Sequence, residues 1–321
     1  MRIILAPMEG LVDAPIRETL TGVGGIDRSV TEFIRVTHGM LPPRIFYKYA
    51  PELHHGCVTR AGTPVAIQLL GSNPEMMGRH GVRAVELGAG QVDINFGCPA
   101  KTVNKHKGGC VLMREPELMH NITAAVRRAV PEHIPVTAKM RLGYDDRSMG
   151  IACGQALQEA GAAELVIHAR SKVDGYRPPA YWEEIARVRE VLDIPVIANG
   201  EIWTVEQYWR CRDISGCDDV MIGRGLIARP DLARRIRASQ AGEQVVPMTW
   251  PEAVALIEDY AAALQTRLED RFVTGRIKQW LSYLRLGFTE AEQLWPRARK
   301  LREVAPMLAC LGASGSDRKV A

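Results

Sequence analysis

Residues 92–101 read Val92-Asp93-Ile94-Asn95-Phe96-Gly97-Cys98-Pro99-Ala100-Lys101. Val92, Ile94 and Phe96 alternate with Asp93, Asn95 and Gly97, which predicts a strand with one apolar and one polar face. The strand ends abruptly. Gly97 removes bulk beside the thiol and Pro99 biases Cys98 away from helix, so Cys98 is expected on an extended loop at the strand's end. Two readings of Cys98 stand on these residues alone: a thiol placed for chemistry, and a buried structural cysteine, the ordinary fate of a free one.

The same plan opens the chain at M-R-I-I-L-A-P-M-E-G and recurs at 29–35, 64–71, 92–98, 135–143, 164–170, 195–201 and 219–225, giving eight candidate strands. Segments of helical spacing lie between most of them, at 74–87, 116–130, 150–160 and 205–214. Strands alternating with helices imply a parallel sheet. Eight such units within about 240 residues match a (β/α)8 TIM barrel, whose usual length is about 250 residues. Residues 36–63, rich in Pro, His and Tyr, are expected to form an elaborated loop after the second strand. After Pro247 the pattern changes to helical spacing only, over 250–268, 271–286 and 289–311, with Thr249 and Thr289 as candidate caps. The expected organisation is α/β: a catalytic barrel over 1–245, a small all-helical domain over 246–311 and a frayed tail over 312–321.

Of the 321 residues, 41 are Lys or Arg and 37 Asp or Glu, a net charge of +4 that permits a polyanionic partner without demanding one. Seven cysteines lie far apart with no C-x-x-C pair, which argues against zinc, an iron–sulfur cluster or a disulfide framework and fits a reducing cytoplasm. No segment reaches the roughly 18 apolar residues of a membrane span. A soluble, monomeric cytoplasmic protein without a metal is therefore expected.

A barrel places its chemistry at the C-terminal ends of its strands. Those ends carry Met8 and Glu9, Gln68, Asn95 and Cys98, Lys139 and Arg141, His168 and Arg170, Asn199, Gly200 and Glu201, then Gly223, Arg224 and Gly225. Lys139 shares strand parity with Arg141, and His168 with Arg170, so each pair can face the barrel mouth. A-N-G-E and I-G-R-G follow strands seven and eight, where barrels bind phosphate through backbone N–H groups, with Arg224 as counter-charge. Lys139 has three readings: a solvated lysine, a Schiff-base nucleophile, or a cation over an electron-rich ring. Together with Gln68, His168 and the glycine loops, it points to a phosphorylated aromatic cofactor across the mouth.

The motifs L-A-P-M-E-G, V-D-I-N-F-G-C-P-A-K followed by T-V-N, K-M-R-L-G, V-I-H-A-R, P-V-I-A-N-G-E-I, V-M-I-G-R-G and R-I-K-Q-W-L-S-Y-L-R, in this order, resemble those of the tRNA-dihydrouridine synthases, and among the bacterial ones subfamily C. That resemblance implies a flavoenzyme that reduces a tRNA uridine, with FMN against Pro7, Met8, Glu9, Gln68, Lys139, His168, Asn199, Gly200, Glu201, Gly223 and Arg224. It implies NADPH as reductant, Cys98 as proton donor to C5 of a flipped-out uracil, and uridine 16 of the D-loop as target. An unperturbed thiol, with a pKa of about 8.5, is mostly protonated at neutral pH and suits that role. Asn95 is expected to meet the uracil or its ribose. Arg35, Arg170, Lys172, Tyr176 and Arg177 near the mouth, with Arg276, Lys278 and Trp280 in the helical domain, are the expected tRNA contacts. In place of small residues, the loop after Cys98 reads N-K-H-K-G-G-C, and its Cys110 is expected to be structural. The rivals are a flavin barrel acting on a free pyrimidine, such as a dihydroorotate dehydrogenase, a lysine-dependent aldolase using Lys139, and a tRNA-binding module without catalysis.

Overall fold

The computed structural model describes residues 1–313. Its strands are β1 (Ile3–Leu5), β2 (Arg28–Val30), β3 (Ile34–Arg35), β4 (Val65–Leu70), β5 (Val92–Asn95), β6 (Val136–Gly143), β7 (Leu165–Ser171), β8 (Val196–Asn199) and β9 (Val220–Ile222). All pair in parallel in the order β2-β1-β9-β8-β7-β6-β5-β4-β3, and β2 also pairs with β4, which closes the sheet into the expected barrel. The expected second strand over 29–35 is two short strands. Both pair with β4, through Ser29 and Val30 and then through Ile34 and Arg35, while the Thr31 hydroxyl accepts from the Gln68 N–H (3.0 Å) in the gap between them.

The helices of the barrel are α1 (Ala14–Val23), α2 (Pro43–Tyr49), α3 (Pro74–Glu86), α4 (Lys101–Lys105), α5 (Pro116–Ala129), α6 (Gly150–Glu159), α7 (Trp182–Arg189), α8 (Val205–Ser215), α9 (Arg224–Ala228) and α10 (Leu232–Gln240). Residues 36–63 carry α2 and a 3₁₀ turn over Pro51–His55. Alternation sorts the strand side chains into two layers. Val92, Ile94 and Phe96 join the apolar layer beneath the helices, whereas Ile4, Ala6, Val30, Ala66, Val166, Ile197 and Met221 fill the barrel's centre. Two positions earlier on four of those strands or their approaches, Arg2, Arg28, Glu164 and Asp219 form a polar floor together with Gln91: Arg2 pairs with Glu164 (2.8 Å) and Asp219 (2.6 Å), Arg28 pairs with Glu164, and Arg28 donates to Gln91. An interior closed at the bottom by ion pairs and in the middle by apolar side chains leaves only the top open for chemistry.

The C-terminal region holds α11 (Trp250–Gln265), α12 (Asp270–Leu284), α13 (Thr289–Ala298) and α14 (Val304–Gly312). Thr249 caps α11 in a capping box with Glu252, as its spacing predicts. Two expectations need correction. Thr289 is the first residue of α13 and not its cap, a position taken by Phe288 with no side-chain hydrogen bond. The single helix expected over 289–311 is two, with the chain turning over 299–303. Gly312 ends α14, and the rest of the expected tail, 314–321, lies outside the described residues.

These helices share the barrel's apolar layer. α11 packs on α1 and α12 on α9. Trp280, expected at the RNA surface, is instead 1% exposed, and its indole N–H donates to the Ile227 carbonyl (3.1 Å). An indole in the middle of an apolar stripe is drawn inward by its area, and its one donor needs a buried acceptor. Arg276 is likewise committed: it donates to the Gly10 and Leu11 carbonyls and pairs with Asp13 (2.6 Å), whose other oxygen caps α1 at Ile16. Trp280→Ala should cost about 3–5 kcal/mol, read as a lower midpoint in urea unfolding. Trp280→Phe should recover much of that loss, which a solvent-facing residue would not show.

Candidate functional site

One cavity of about 520 Å3 opens at the C-terminal ends of the strands. Its lining brings together Pro7, Met8, Glu9, Gln68, Asn95, Cys98, Lys139, Arg141, His168, Tyr176, Asn199, Gly200, Glu201, Gly223 and Arg224. All the expected cofactor contacts and the thiol therefore share one space.

Its wall on the β4–β5 side is a hydrogen-bond chain. Asp93, 2% exposed, accepts from the Thr137 hydroxyl (2.6 Å) and from Gln68 Nε2 (2.7 Å). Gln68 Oε1 accepts from Asn95 Nδ2 (2.8 Å), and Asn95 Oδ1 accepts from the N–H groups of Gly97 (2.9 Å) and Cys98 (3.0 Å). The Cys98 carbonyl in turn accepts from Asn104 Nδ2 (2.9 Å) and the Cys110 N–H (3.0 Å). Asn95 was expected to meet the substrate; here both ends of its amide are occupied in holding Gln68 and the Cys98 loop. Gln68 is also a link in the wall. Burial pushes the Asp93 carboxyl up, against the hydrogen bonds from Thr137 and Gln68.

Cys98 is 8% exposed, and burial raises its thiol pKa, so the acid form persists at neutral pH. Cys110 is fully buried in the 3₁₀ turn Gly109–Arg114, its thiol near the Gly143 carbonyl (3.5 Å) and pushed up to about 12 by burial. A thiol so placed is structural, as the sequence reading held.

The adjoining wall, which begins at β6 beside β5, is cationic. Burial first, and the Arg141 charge second, bring Lys139 down to about 8. Its Nζ donates to Asn199 Oδ1 (3.0 Å), and Asn199 Nδ2 donates to the Met221 carbonyl (2.8 Å). Burial, then Arg141, Lys139 and further cations, hold His168 well below its usual value, so its imidazole is neutral. Arg141 is spent on the Gly97, Ser171 and Gly175 carbonyls. Exposed Tyr176 covers this wall: its ring centroid lies 6.0 Å from that of His168, 5.1 Å from the Arg141 guanidinium and 5.0 Å from that of Arg224.

The glycine loops leave backbone bare where a phosphate would approach. Gly200 sits at φ 124°, a conformation side chains rarely adopt, and a Cβ there would come within 3.2 Å of the His168 ring. A Cβ on Gly223 would come within 3.2 Å of Met8 Sδ, and one on Gly225 would run into the Ile202 carbonyl. With Arg224 beside them and Lys139, a three-donor ammonium with one protein acceptor here, this donor set fits a phosphorylated, anion-forming ring.

Arg170 needs correction. It was expected to reach the substrate but is 0% exposed, donating to the Arg177 and Pro179 carbonyls and pairing with Glu201 behind the cavity wall. Arg35 and Arg177 are exposed, Lys172 and Lys278 half-buried, and none of the four lines the cavity. Sequence reasoning missed Phe33, Trp203, Gln279 and Tyr283, which do. Trp203, two residues after Glu201 and donating to it (3.2 Å), could have been found by following A-N-G-E onward. Gln279 and Tyr283 belong to α12 and carry no local signal; docking of the C-terminal helices brings them there.

Residues 4–305 match the family described as "Dihydrouridine synthase (Dus)". The chain belongs to the dihydrouridine synthase family. The resemblance of its motifs is thereby borne out, and the free-pyrimidine and aldolase rivals fall. The tRNA-dihydrouridine(16) synthase of Pseudomonas syringae pv. tomato is 54% identical over 98% of this chain and 99% of its own, and that of Aquipseudomonas alcaligenes 53% identical over 94% and 95%. Among solved structures, a variant of NCR from Zymomonas mobilis (TM-score 0.52, 17% identity, 78% of this chain and 90% of that one) and morphinone reductase with tetrahydroNAD (0.50, 15%, 74% and 86%) share the barrel fold. As a dihydrouridine synthase, the chain is a flavin-dependent oxidoreductase that reduces uridine in tRNA to dihydrouridine. No helix among the described residues is long and apolar enough to cross a membrane.

The Lys139 shift has a testable sign. An anionic flavin favours the charged ammonium, so affinity is highest below the free protein's value of about 8 and falls as pH rises through it. Flavin fluorescence titrations of the stripped protein should show FMN binding weaken between pH about 7 and about 9.5, and Lys139→Met should bind more weakly with that dependence gone. A wild-type affinity level across the range would contradict the assignment.

Proposed function

We propose that the chain reduces uridine 16 of the tRNA D-loop to 5,6-dihydrouridine, with FMN in the cavity and NADPH as reductant. The carrying observation is that the protonated Cys98 thiol lines one cavity with Lys139, Asn199 and the glycine loops. The residues that would hold FMN are Lys139, His168 and Asn199 with Pro7, Met8, Glu9 and Gln68 around the ring, and Gly200, Glu201, Gly223 and Arg224 at the phosphate. When bound and reduced by NADPH, FMN supplies the hydride that C6 of the uracil receives.

Every other part of the reaction falls to the chain. Cys98 donates its thiol proton to C5, and the thiolate recovers a proton from solvent. The clamp from Asn95, Asn104 and Cys110 fixes the loop, so the thiol approaches C5 without reorganising backbone. Extruding the target base costs a few kcal/mol, offset by contact between tRNA and the protein. We assign that contact to Arg35, Lys172, Tyr176 and Arg177 around the mouth and to the helical region 246–311 through Lys278, with 1–245 as the FMN-binding barrel. In this reading the enzyme works as a cytoplasmic monomer without a metal. Position 16 rests on the relatives' names and on Arg35 and the R-I-K-Q-W-L-S-Y-L-R segment.

Cys98→Ala should retain FMN and its reduction by NADPH yet form dihydrouridine at least about 100-fold more slowly, the scale of one general acid; Cys110→Ala should stay active. Because burial raises the Cys98 value, product formation by pre-reduced enzyme held saturated with FMN should stay level as pH passes the ordinary thiol value of about 8.5 and decline only above it. A decline beginning below pH about 8 would assign the proton to another group. Site-resolved mapping of tRNA from a strain lacking the gene should show dihydrouridine lost at position 16. Loss at position 20 with 16 intact would overturn the position while leaving the chemistry standing.

A further inference from the structure

We propose that a shallow cleft on the outer face of α12, over Gly275, receives an unpaired nucleobase of the bound tRNA near the target uridine; this rests on the tRNA reading above. The cleft, about 560 Å3, is lined by Leu268, Arg271, Phe272, Gly275, Arg276 and Gln279. Gly275 lies inside a 15-residue helix, where glycine is less stable than alanine. Yet a Cβ at Gly275 would meet nothing within 4 Å. No packing contact requires glycine there. What it does is leave bare backbone between Phe272, three residues before it, and Gln279, four after it, on the same helix face.

The rim has the chemistry of a base-stacking platform. Phe272 is 52% and Leu268 38% exposed, and the Arg271 guanidinium lies 4.6 Å from the Phe272 ring centroid. Aromatic rings and guanidinium planes are the surfaces on which unpaired bases stack. Arg271 also pairs with Glu269 at 3.1 Å, both side chains being exposed, a contact weak enough to yield. Glu269 and Asp270 at the start of α12 repel phosphate, so the cleft suits the flat face of a base and not the backbone. It neighbours the catalytic cavity, since Gln279 lines both. From Phe272 to Gln279 the helix advances about 10 Å, about three stacked bases at 3.4 Å each, so the captured base lies within a few nucleotides of the uridine under reduction.

The test uses the FMN-loaded enzyme and an unmodified tRNA transcript. Gly275→Leu fills the cleft and Phe272→Ala removes its aromatic wall. Each should raise the Kd for the transcript, and the KM, about tenfold, the scale of one lost stack. Flavin reduction by NADPH and kcat at saturating tRNA should be unchanged. The slope of log Kd against log salt should also be unchanged, because no phosphate contact is lost. Phe272→Trp should bind within about twofold of wild type, since the stacking face is kept, and Gly275→Leu should melt no lower than wild type. Unchanged Kd in both variants would overturn the proposal. So would a loss accompanied by a shallower salt slope, which would mean a phosphate contact, or a wild-type dimer in sedimentation that Phe272→Ala dissociates, which would make the occupant a second copy of the chain. Wild-type enzyme that forms no dihydrouridine in the transcript would overturn the functional reading itself; active wild type with indifferent variants would remove the cleft alone.

Discussion

The site depends on one buried carboxylate. Asp93 lies inside the barrel beneath the cavity and, when ionised, can only accept hydrogen bonds. It therefore turns the amide group of Gln68 so that the nitrogen faces it (2.7 Å), which points the Gln68 oxygen at the nitrogen of Asn95 (2.8 Å). Asn95 is then left with its oxygen toward the loop, where the N–H groups of Gly97 and Cys98 find it. Each amide has two orientations, and the acceptor at the bottom of the chain selects one of them for all. The position of the thiol is thus set from a residue three links below it.

The adjoining wall solves a different electrostatic problem. Lys139, Arg141, His168 and Arg224 crowd a low-dielectric space that would repel an unmatched group of cations. The molecule eases this by neutralising some and occupying others. His168 stays uncharged, Lys139 is brought down to about 8 yet keeps its charge at neutral pH, Arg141 is tied to three carbonyls, and Arg170 is matched with Glu201. The charge left over faces the cavity and suits an anionic ligand.

The C-terminal helices close the same site from outside. Asp13 caps α1 with one carboxylate oxygen and holds Arg276 of α12 with the other, while Gln279 Nε2 donates to the Gly10 carbonyl (2.7 Å). The loop that carries Met8 and Glu9 is therefore pinned between barrel and helical region. With Trp280 sunk into the shared core, the motif R-I-K-Q-W splits its labour: Arg276 and Trp280 dock the helix, and the outer face of α12, with Phe272, stays exposed.

Local order was legible in the sequence. Period-two alternation placed Asp93 and Asn95, Lys139 and Arg141, and His168 on their strands, Gly97 and Pro99 put Cys98 on the loop beyond, and glycines marked the loops after β8 and β9, because strand parity and backbone freedom are properties of a few adjacent residues. The repeat of strand and helix determined the barrel, since parallel strands joined by helices have few ways to close. What tertiary structure alone decided concerns where a side chain ends rather than where it starts. Arg170 has the parity of a cavity residue and is buried because Glu201 and two loop carbonyls come to meet it. Trp280 sits in a basic motif and is buried because the Ile227 carbonyl lies within reach of its N–H. Thr31 interrupts the second strand because Gln68, distant in sequence, supplies its partner. Gln279 and Tyr283 line the cavity because α12 docks on α9. A periodic pattern fixes the face a residue occupies, but its partners come from segments tens to hundreds of residues away, and only the closed barrel with its docked helices brings them within hydrogen-bonding distance.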